Sequence, residues 1–209
     1  MRITKLGHAA VRLERDGRAV VIDPGTFTEP EAVDGVVGVF VTHEHADHLD
    51  PDALRRTDAP IYAGAGAAAA VRRQAPELAE RLTEVAAGEE LAVAGFRVTV
   101  HGETHAVIHD DIPRISNVAY CFDDEVFHPG DSFTPPPQPV PVLLMPLHAP
   151  WLRLADAVDY ARVASSRTAL AIHDGLLNAT GLAVSARLAT SLLEPTGLTY
   201  SRLEPGSDL

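Results

Sequence analysis

Thr42-His43-Glu44-His45-Ala46-Asp47-His48-Leu49-Asp50 follows directly on the apolar run Val36-Val37-Gly38-Val39-Phe40-Val41. The apolar run reads as a buried strand, and the residues after it as a loop at that strand's end. Four potential metal ligands, His43, His45, Asp47 and His48, fall within six residues of this loop. Polar side chains converging at a sheet end are costly to desolvate, and a divalent cation is the usual compensation. Residues i and i+2 of an extended segment project to one side, so His43 and His45 can chelate one ion. Asp47 and His48 lie in the turn beyond and can face a second ion. Neither ion is fully held by this loop, so further ligands must come from elsewhere in the chain.

The rest of the sequence offers candidates in the right kind of place. Residues 96–101, 125–128 and 169–172 read as strands, and His105, Asp131 and His173 follow them. Loops after strand ends collect at one edge of a sheet. His101 and His109 lie in the same segment as His105 and are alternatives to it.

The 209 residues are 46% hydrophobic and 22% charged, which allows a sizeable core. A net charge of −12 disfavours nucleic acid and anionic membrane surfaces as partners. No run is long and apolar enough to span a bilayer, and the first residues read as a strand rather than a signal peptide. One cysteine, Cys121, excludes an internal disulfide and fits a reducing, cytoplasmic setting. Lys5 is the only lysine.

Strands are expected over residues 3–6, 11–14, 19–23, 36–41, 60–63, 90–94, 96–101, 117–122, 125–128, 142–146 and 169–172. Asp16-Gly17 is a hairpin signal, and Asp23-Pro24-Gly25 stops a strand sharply. Helical patterns cover residues 53–57, 66–74, 154–165 and 184–193, the first opened by Asp50-Pro51. No disordered linker divides the chain. One domain over residues 1–209, with two sheets covered by helices, accounts for this order.

The pattern His-x-His-x-Asp-His, a later lone His, Gly130-Asp131-Ser132 and a late His closely resembles the metallo-β-lactamase-fold hydrolase superfamily. Leu6-Gly7-His8-Ala9 and Ile22-Asp23-Pro24-Gly25 look most like its ascorbate-6-phosphate-lactonase-like branch. The resemblance runs from Leu6 to about Gly175 and implies an α+β fold, a four-layer αββα sandwich with metals at one edge. It implies that His43, His45 and His105 bind a first divalent ion, that Asp47, His48 and His173 bind a second, and that Asp131 bridges them. Zinc is the expected metal, with manganese the alternative. The implied nucleophile is a hydroxide between the ions, since metal binding lowers a water's pKa from ~16 towards ~7. Asp47 and His173 are then catalytic as well as ligating, Asp47 orienting the nucleophile.

Around this set, His8 and His148 are expected near the substrate or behind the ligands, and Asp23 is expected to orient a ligand or the metal-binding loop. His128 reads as structural or as a support behind the ligands, Trp151 as a packing residue and Cys121 as a buried thiol. Residues 107–115 and the proline-rich loop around Pro136 are the expected pocket walls. The chain is too short and acidic for the nucleic-acid-processing relatives, and little follows Leu193 to form the extra substrate region of the glyoxalase-II type. His45 stands where flavodiiron relatives carry a carboxylate. What remains is a hydrolase of a small-molecule lactone, ester or phosphoester, with a homo-oligomer suggested by the branch. The competing reading is a catalytically silent, metal-stabilised binding or regulatory module of the same fold.

Overall fold

A computed structural model describes residues 1–209. The hairpin signals near the start form an antiparallel run of β1 (Arg2–Lys5), β2 (Val11–Arg15) and β3 (Arg18–Ile22). Three parallel strands extend it, β4 (Gly38–Val41), β5 (Ile61–Gly64) and β6 (Leu82–Val85). The second sheet is built the same way. β7 (Glu90–Val93), β8 (Phe96–His101), β9 (Ala119–Phe122) and β10 (Val126–His128) are antiparallel neighbours. β11 (Val142–Pro146), β12 (Thr168–Ile172) and β13 (Thr199–Ser201) then add in parallel. Each sheet therefore runs in sequence order, with its parallel strands at one side.

Crossover helices supply the outer layers, as parallel pairing requires. α1 (Pro51–Arg55) and α2 (Ala65–Gln74) pack on the first sheet, where Leu54, Ala67 and Val71 join one apolar cluster. α3 (Leu154–Ala164) and α4 (Ala179–Leu193) cover the second sheet, where Ala157, Tyr160 and Leu193 join another. Between the sheets, Phe40 stacks on Tyr62 at 4.9 Å and meets Tyr120 and Phe122 edge-on at 5.2 and 5.0 Å. The result is the expected αββα sandwich.

Several boundaries move for local reasons. β4 starts at Gly38 rather than Val36, and β9 at Ala119 rather than Asn117. The Asn117 and Val118 amides donate instead to the carbonyls of Glu103 and Thr42. The last helix starts at Ala179 rather than Val184, capped by the Asn178 side chain on the Gly181 amide at 2.9 Å. The edge strands β6 and β13 were not expected; both are short and half-exposed, so neither carries a long apolar run.

After β13 the chain returns to β1. The Lys5 amide donates to Ser207, Gly206 to Lys5 and Leu209 to Ile3, which covers the outer edge of β1. Beneath it, the buried Lys5 ammonium donates to Asp174 Oδ1 at 2.5 Å, and Arg202 Nε donates to Asp174 Oδ2 at 2.8 Å.

Candidate metal centre

The carboxyl ends of the parallel strands, where α/β sheets usually place their sites, carry the chemistry here. β4 ends into Thr42 and the histidine loop, β12 into His173, and β10 into the turn that presents Asp131. The loop is tied down from below by Asp23. Its two oxygens accept from the Thr42 amide at 2.8 Å and the Thr42 hydroxyl at 2.7 Å. The Asp131 amide donates to the buried Asn117 side chain at 3.0 Å. Gly130 has a left-handed backbone (φ 61°), and a Cβ there would lie 2.2 Å from Asn117 Oδ1 and 2.8 Å from Thr42 Oγ1. Gly25 answers a similar need, because a Cβ there would sit 2.0 Å from the backbone of Asp47.

Hydrogen-bond partners fix the imidazole tautomers. His48 Nδ1 lies 2.7 Å from Asp23 Oδ2, His105 Nδ1 lies 2.6 Å from the Ala106 carbonyl, and His173 Nδ1 lies 2.6 Å from the His148 carbonyl. These oxygens only accept, so each Nδ1 carries a proton and each Nε2 is the atom left to hold a cation. The Thr42 hydroxyl spends its proton on Asp23, so His43 Nδ1 donates to it at 3.0 Å and its Nε2 is also free to ligate. That Nε2 lies 3.2 Å from His45 Nδ1.

Two sets of donor atoms result, each within 4.8 Å of one another: His43, His45, His105 and Asp131, then His8, Asp47, His48 and His173. Asp131 joins them. Its Oδ2 lies 3.4 Å from His105 Nε2 and 3.1 Å from His173 Nε2, and its Oδ1 lies 3.2 Å from His48 Nε2. Despite these distances, His48 Nε2, His105 Nε2, His173 Nε2 and Asp131 Oδ1 are buried without hydrogen-bond partners. Orphaned buried atoms are rare because each forfeits its solvation. Here they are imidazole nitrogens and a carboxylate oxygen converging from four strand ends, which fits two divalent cations.

His8 belongs to the second set by distance but not by chemistry. Its Nδ1 accepts from the Gly175 amide at 2.9 Å, so the proton sits on Nε2, 3.2 Å from Asp47 Oδ2. Burial lowers its pKa and keeps it neutral. His8 is thus a donor that aims Asp47, not a third imidazole ligand.

The electrostatics favour cations throughout. Burial would raise the Asp131 pKa, yet His48, His105 and His173 hold it well below the usual carboxylate range. Asp47 is lowered in the same way against burial, by His173 and His8. Burial lowers the pKa of His43 and His45. Burial also opposes charge on His48 and His173, but Asp131 and Asp23 raise the pKa of the first and Asp131 and Asp47 lift the second to about 9. Without a cation each ring therefore holds on Nε2 a second proton that a cation would displace. Ionised carboxylates therefore sit among imidazoles in a dry site.

The pattern of the beta-lactamase superfamily domain matches residues 2–173. The chain belongs to the beta-lactamase superfamily. Protein Rv0786c of Mycobacterium tuberculosis is 35% identical over 188 residues, 85% of each chain. A UPF0173 metal-dependent hydrolase of Chelativorans is 30% identical over 149 residues, 63% of this chain and 63% of its own length. Among solved structures, the metallo hydrolase Igni18 of Ignicoccus hospitalis superposes with a TM-score of 0.72 at 18% identity, covering 100% of this chain and 97% of that one. The last likeness is one of fold.

In this superfamily member the remaining sequence candidates sort clearly. His101 pairs with Thr99 at 2.8 Å and packs by Phe127, and His109 is exposed beside Asp111, so neither joins the donor sets. His148 serves through its backbone, accepting from His173 Nδ1, rather than through an imidazole contact with the ligand set. His128 is structural, donating to the Ala9 carbonyl at 3.1 Å and accepting from the Gly130 amide at 3.0 Å. Cys121 is buried. Trp151 is not merely packed: its Nε1–H donates to Asp131 Oδ2 at 2.9 Å. Thr42 and Asn117 are supports that sequence reasoning missed, since nothing local marks a strand-end threonine or asparagine as holding a loop 14 or more residues away.

A cavity of about 450 Å³ opens beside these donors, lined by Thr104, Ala106, Arg114, Phe133 and Trp151 among others. Val107 and Arg114 come from the expected wall at residues 107–115. The second wall is Ser132 to Thr134, ahead of the proline run rather than within it. No helix is long and apolar enough to cross a membrane.

Asp23 offers a direct check on the support of this centre. Asp23→Ala removes the only acceptor of the His48 Nδ1–H, so the ring loses its aim. Zinc affinity, measured against a chromophoric chelator, is expected to fall about 10- to 100-fold. An affinity equal to wild type would remove Asp23 from this role.

Proposed function

We propose that this chain is a metal-dependent hydrolase that holds two divalent cations and opens a lactone, ester or phosphoester bond of a small molecule. The observation that carries the reading is the set of buried, partnerless donors, His48 Nε2, His105 Nε2, His173 Nε2 and Asp131 Oδ1, gathered from strand ends of both sheets beside a cavity. His43, His45 and His105 would hold one ion, Asp47, His48 and His173 the other, and Asp131 both. When bound, the ions would supply Lewis acidity that turns water into a nucleophile at neutral pH and polarises the scissile oxygen.

The protein's own groups do the rest. Asp47 is the less buried carboxylate, 24% exposed, so it faces incoming water and orients it. His8 holds that carboxylate in place through Nε2–H. His173 is fixed by the His148 carbonyl and by its left-handed backbone (φ 57°), a conformation that costs about 1–2 kcal/mol and that the bonds to His8 and His148 sustain. Phe133 and Trp151 give the cavity an apolar wall, and Arg114, held by the His105 carbonyl at 2.9 Å, gives it a cation. Zinc is the expected metal, with manganese accepted by the same mixed donor set.

The test is metal analysis followed by a substrate panel. Purified protein is expected to carry about two divalent ions per chain, to lose turnover of lactones, esters or phosphoesters on chelation, and to regain it with zinc or manganese. Full activity in metal-free protein would overturn the reading. Tight binding of small molecules without turnover across the panel would favour the silent module instead.

A further inference from the structure

Trp151 is the chain's only tryptophan, and it sits on a turn after β11 closed by the Ala149–Leu152 bridge. Its indole N–H donates to Asp131 Oδ2 at 2.9 Å. That oxygen is the one placed between the two donor sets, 3.4 Å from His105 Nε2 and 3.1 Å from His173 Nε2. The other oxygen, Oδ1, faces His48 and has no hydrogen-bond partner.

A carboxylate on a single bond can turn so that its oxygens exchange places or leave the plane. One fixed donor removes that freedom. An indole N–H only donates, so the bond has one sense and requires Asp131 as an acceptor. The donor is itself held in place. Phe133 meets the Trp151 ring edge-on at 5.3 Å, Phe133 packs on Tyr160 at 5.4 Å, and the Tyr160 hydroxyl donates to the Thr134 carbonyl at 2.6 Å. This aromatic ladder ties Trp151 to α3, away from the centre.

We propose that Trp151 is a positioning residue for the cation pair: its N–H locks the Asp131 carboxylate so that Oδ2 stands between the two donor sets and Oδ1 faces His48. The inference rests on reading Asp131 as a shared ligand. A tryptophan that only packed could be replaced by another large ring without consequence for metal. A tryptophan that positions Asp131 could not, because removing the donor frees the carboxylate that both sites use.

The sole indole gives a readout that needs no variant. In chelator-stripped, 15N-labelled full-length protein titrated with zinc alone, the single indole N–H resonance is expected to be protected from solvent exchange and to shift as zinc binds. An indole signal that exchanges freely, or that ignores zinc, overturns the proposal. Trp151→Phe is expected to weaken zinc binding about 10- to 100-fold at both sites, with the metal-free melting temperature unchanged. Trp151→His, which restores an N–H, is expected to recover part of that loss. Wild-type zinc affinity in Trp151→Phe overturns the proposal, and if that variant fails to fold the resonance still decides. Every readout is binding, so the two readings fail separately. A protein that holds zinc through Trp151 and hydrolyses nothing sinks the hydrolase reading alone. A hydrolase whose zinc affinity ignores Trp151 sinks only this one.

Discussion

Asp131→Ala is expected to cut turnover by about 10³-fold or more while leaving the fold intact. The carboxylate lies within 3.4 Å of three imidazole Nε2 atoms and is 2% exposed. It is the one carboxylate within reach of imidazoles of both donor sets, so without it two cations held as proposed would lose the charge that offsets their repulsion. Lewis-acid stabilisation is worth several kcal/mol, and about 4 kcal/mol corresponds to about 10³ in rate. The loop itself is expected to hold. The residue 131 amide still donates to Asn117, and its carbonyl still accepts from the Ala106 amide at 2.8 Å. Circular dichroism checks the fold, metal analysis the loss of ions, and steady-state kinetics the loss of rate. A folded variant that keeps two ions and turns over within about tenfold of wild type would remove Asp131 from the centre.

How far this centre could be seen in the sequence depended on where each partner lies along the chain. His43, His45, Asp47 and His48 are neighbours after an apolar run, so their crowding is visible without any fold. His105, Asp131 and His173 become visible only as residues just past strand ends, and His101 and His109 share that description. What separates them is three-dimensional: His105 is bonded to the next residue's carbonyl with its Nε2 turned inward, whereas His101 is satisfied by Thr99 within its own strand. The supports were hidden for another reason. His148 works through a carbonyl, Asn117 through an amide contact 14 residues away, and Trp151 through one hydrogen bond 20 residues away. Backbone groups and lone long-range contacts leave no pattern in composition or spacing. The same logic runs through the fold. β4 and β12 read as strands because nearly every residue is apolar and buried, while β6 and β13 are edges whose pairing is fixed by neighbours rather than by their own residues.

Lys5→Met is expected to lower stability by about 3–5 kcal/mol, towards the smaller figure, although the residue lies outside both donor sets. Lys5 is 1% exposed and Asp174 4% exposed, and they are joined at 2.5 Å. Taking one partner from a buried pair strands the other charge, and that penalty exceeds the attraction that was lost. Arg202 moderates it, because its Nε still reaches Asp174 at 2.8 Å. For a chain of this size about 3 kcal/mol corresponds to a fall of roughly 6–12 °C in melting temperature, read by calorimetry. Lys5→Met with Asp174→Leu is expected to recover much of the loss, since an apolar pair of similar volume leaves no buried carboxylate unpaired and Arg202 keeps Glu204. A single variant that melts with wild type would show the pair to be energetically idle. The effect is also expected to reach the centre. Asp174 follows His173, and Gly175 donates to His8, which aims Asp47, so loosening this anchor releases two supports of the second cation position together. Weaker zinc binding in Lys5→Met, relieved in the double variant, would show that the buried pair under the β1 edge holds the metal centre as well as the tail.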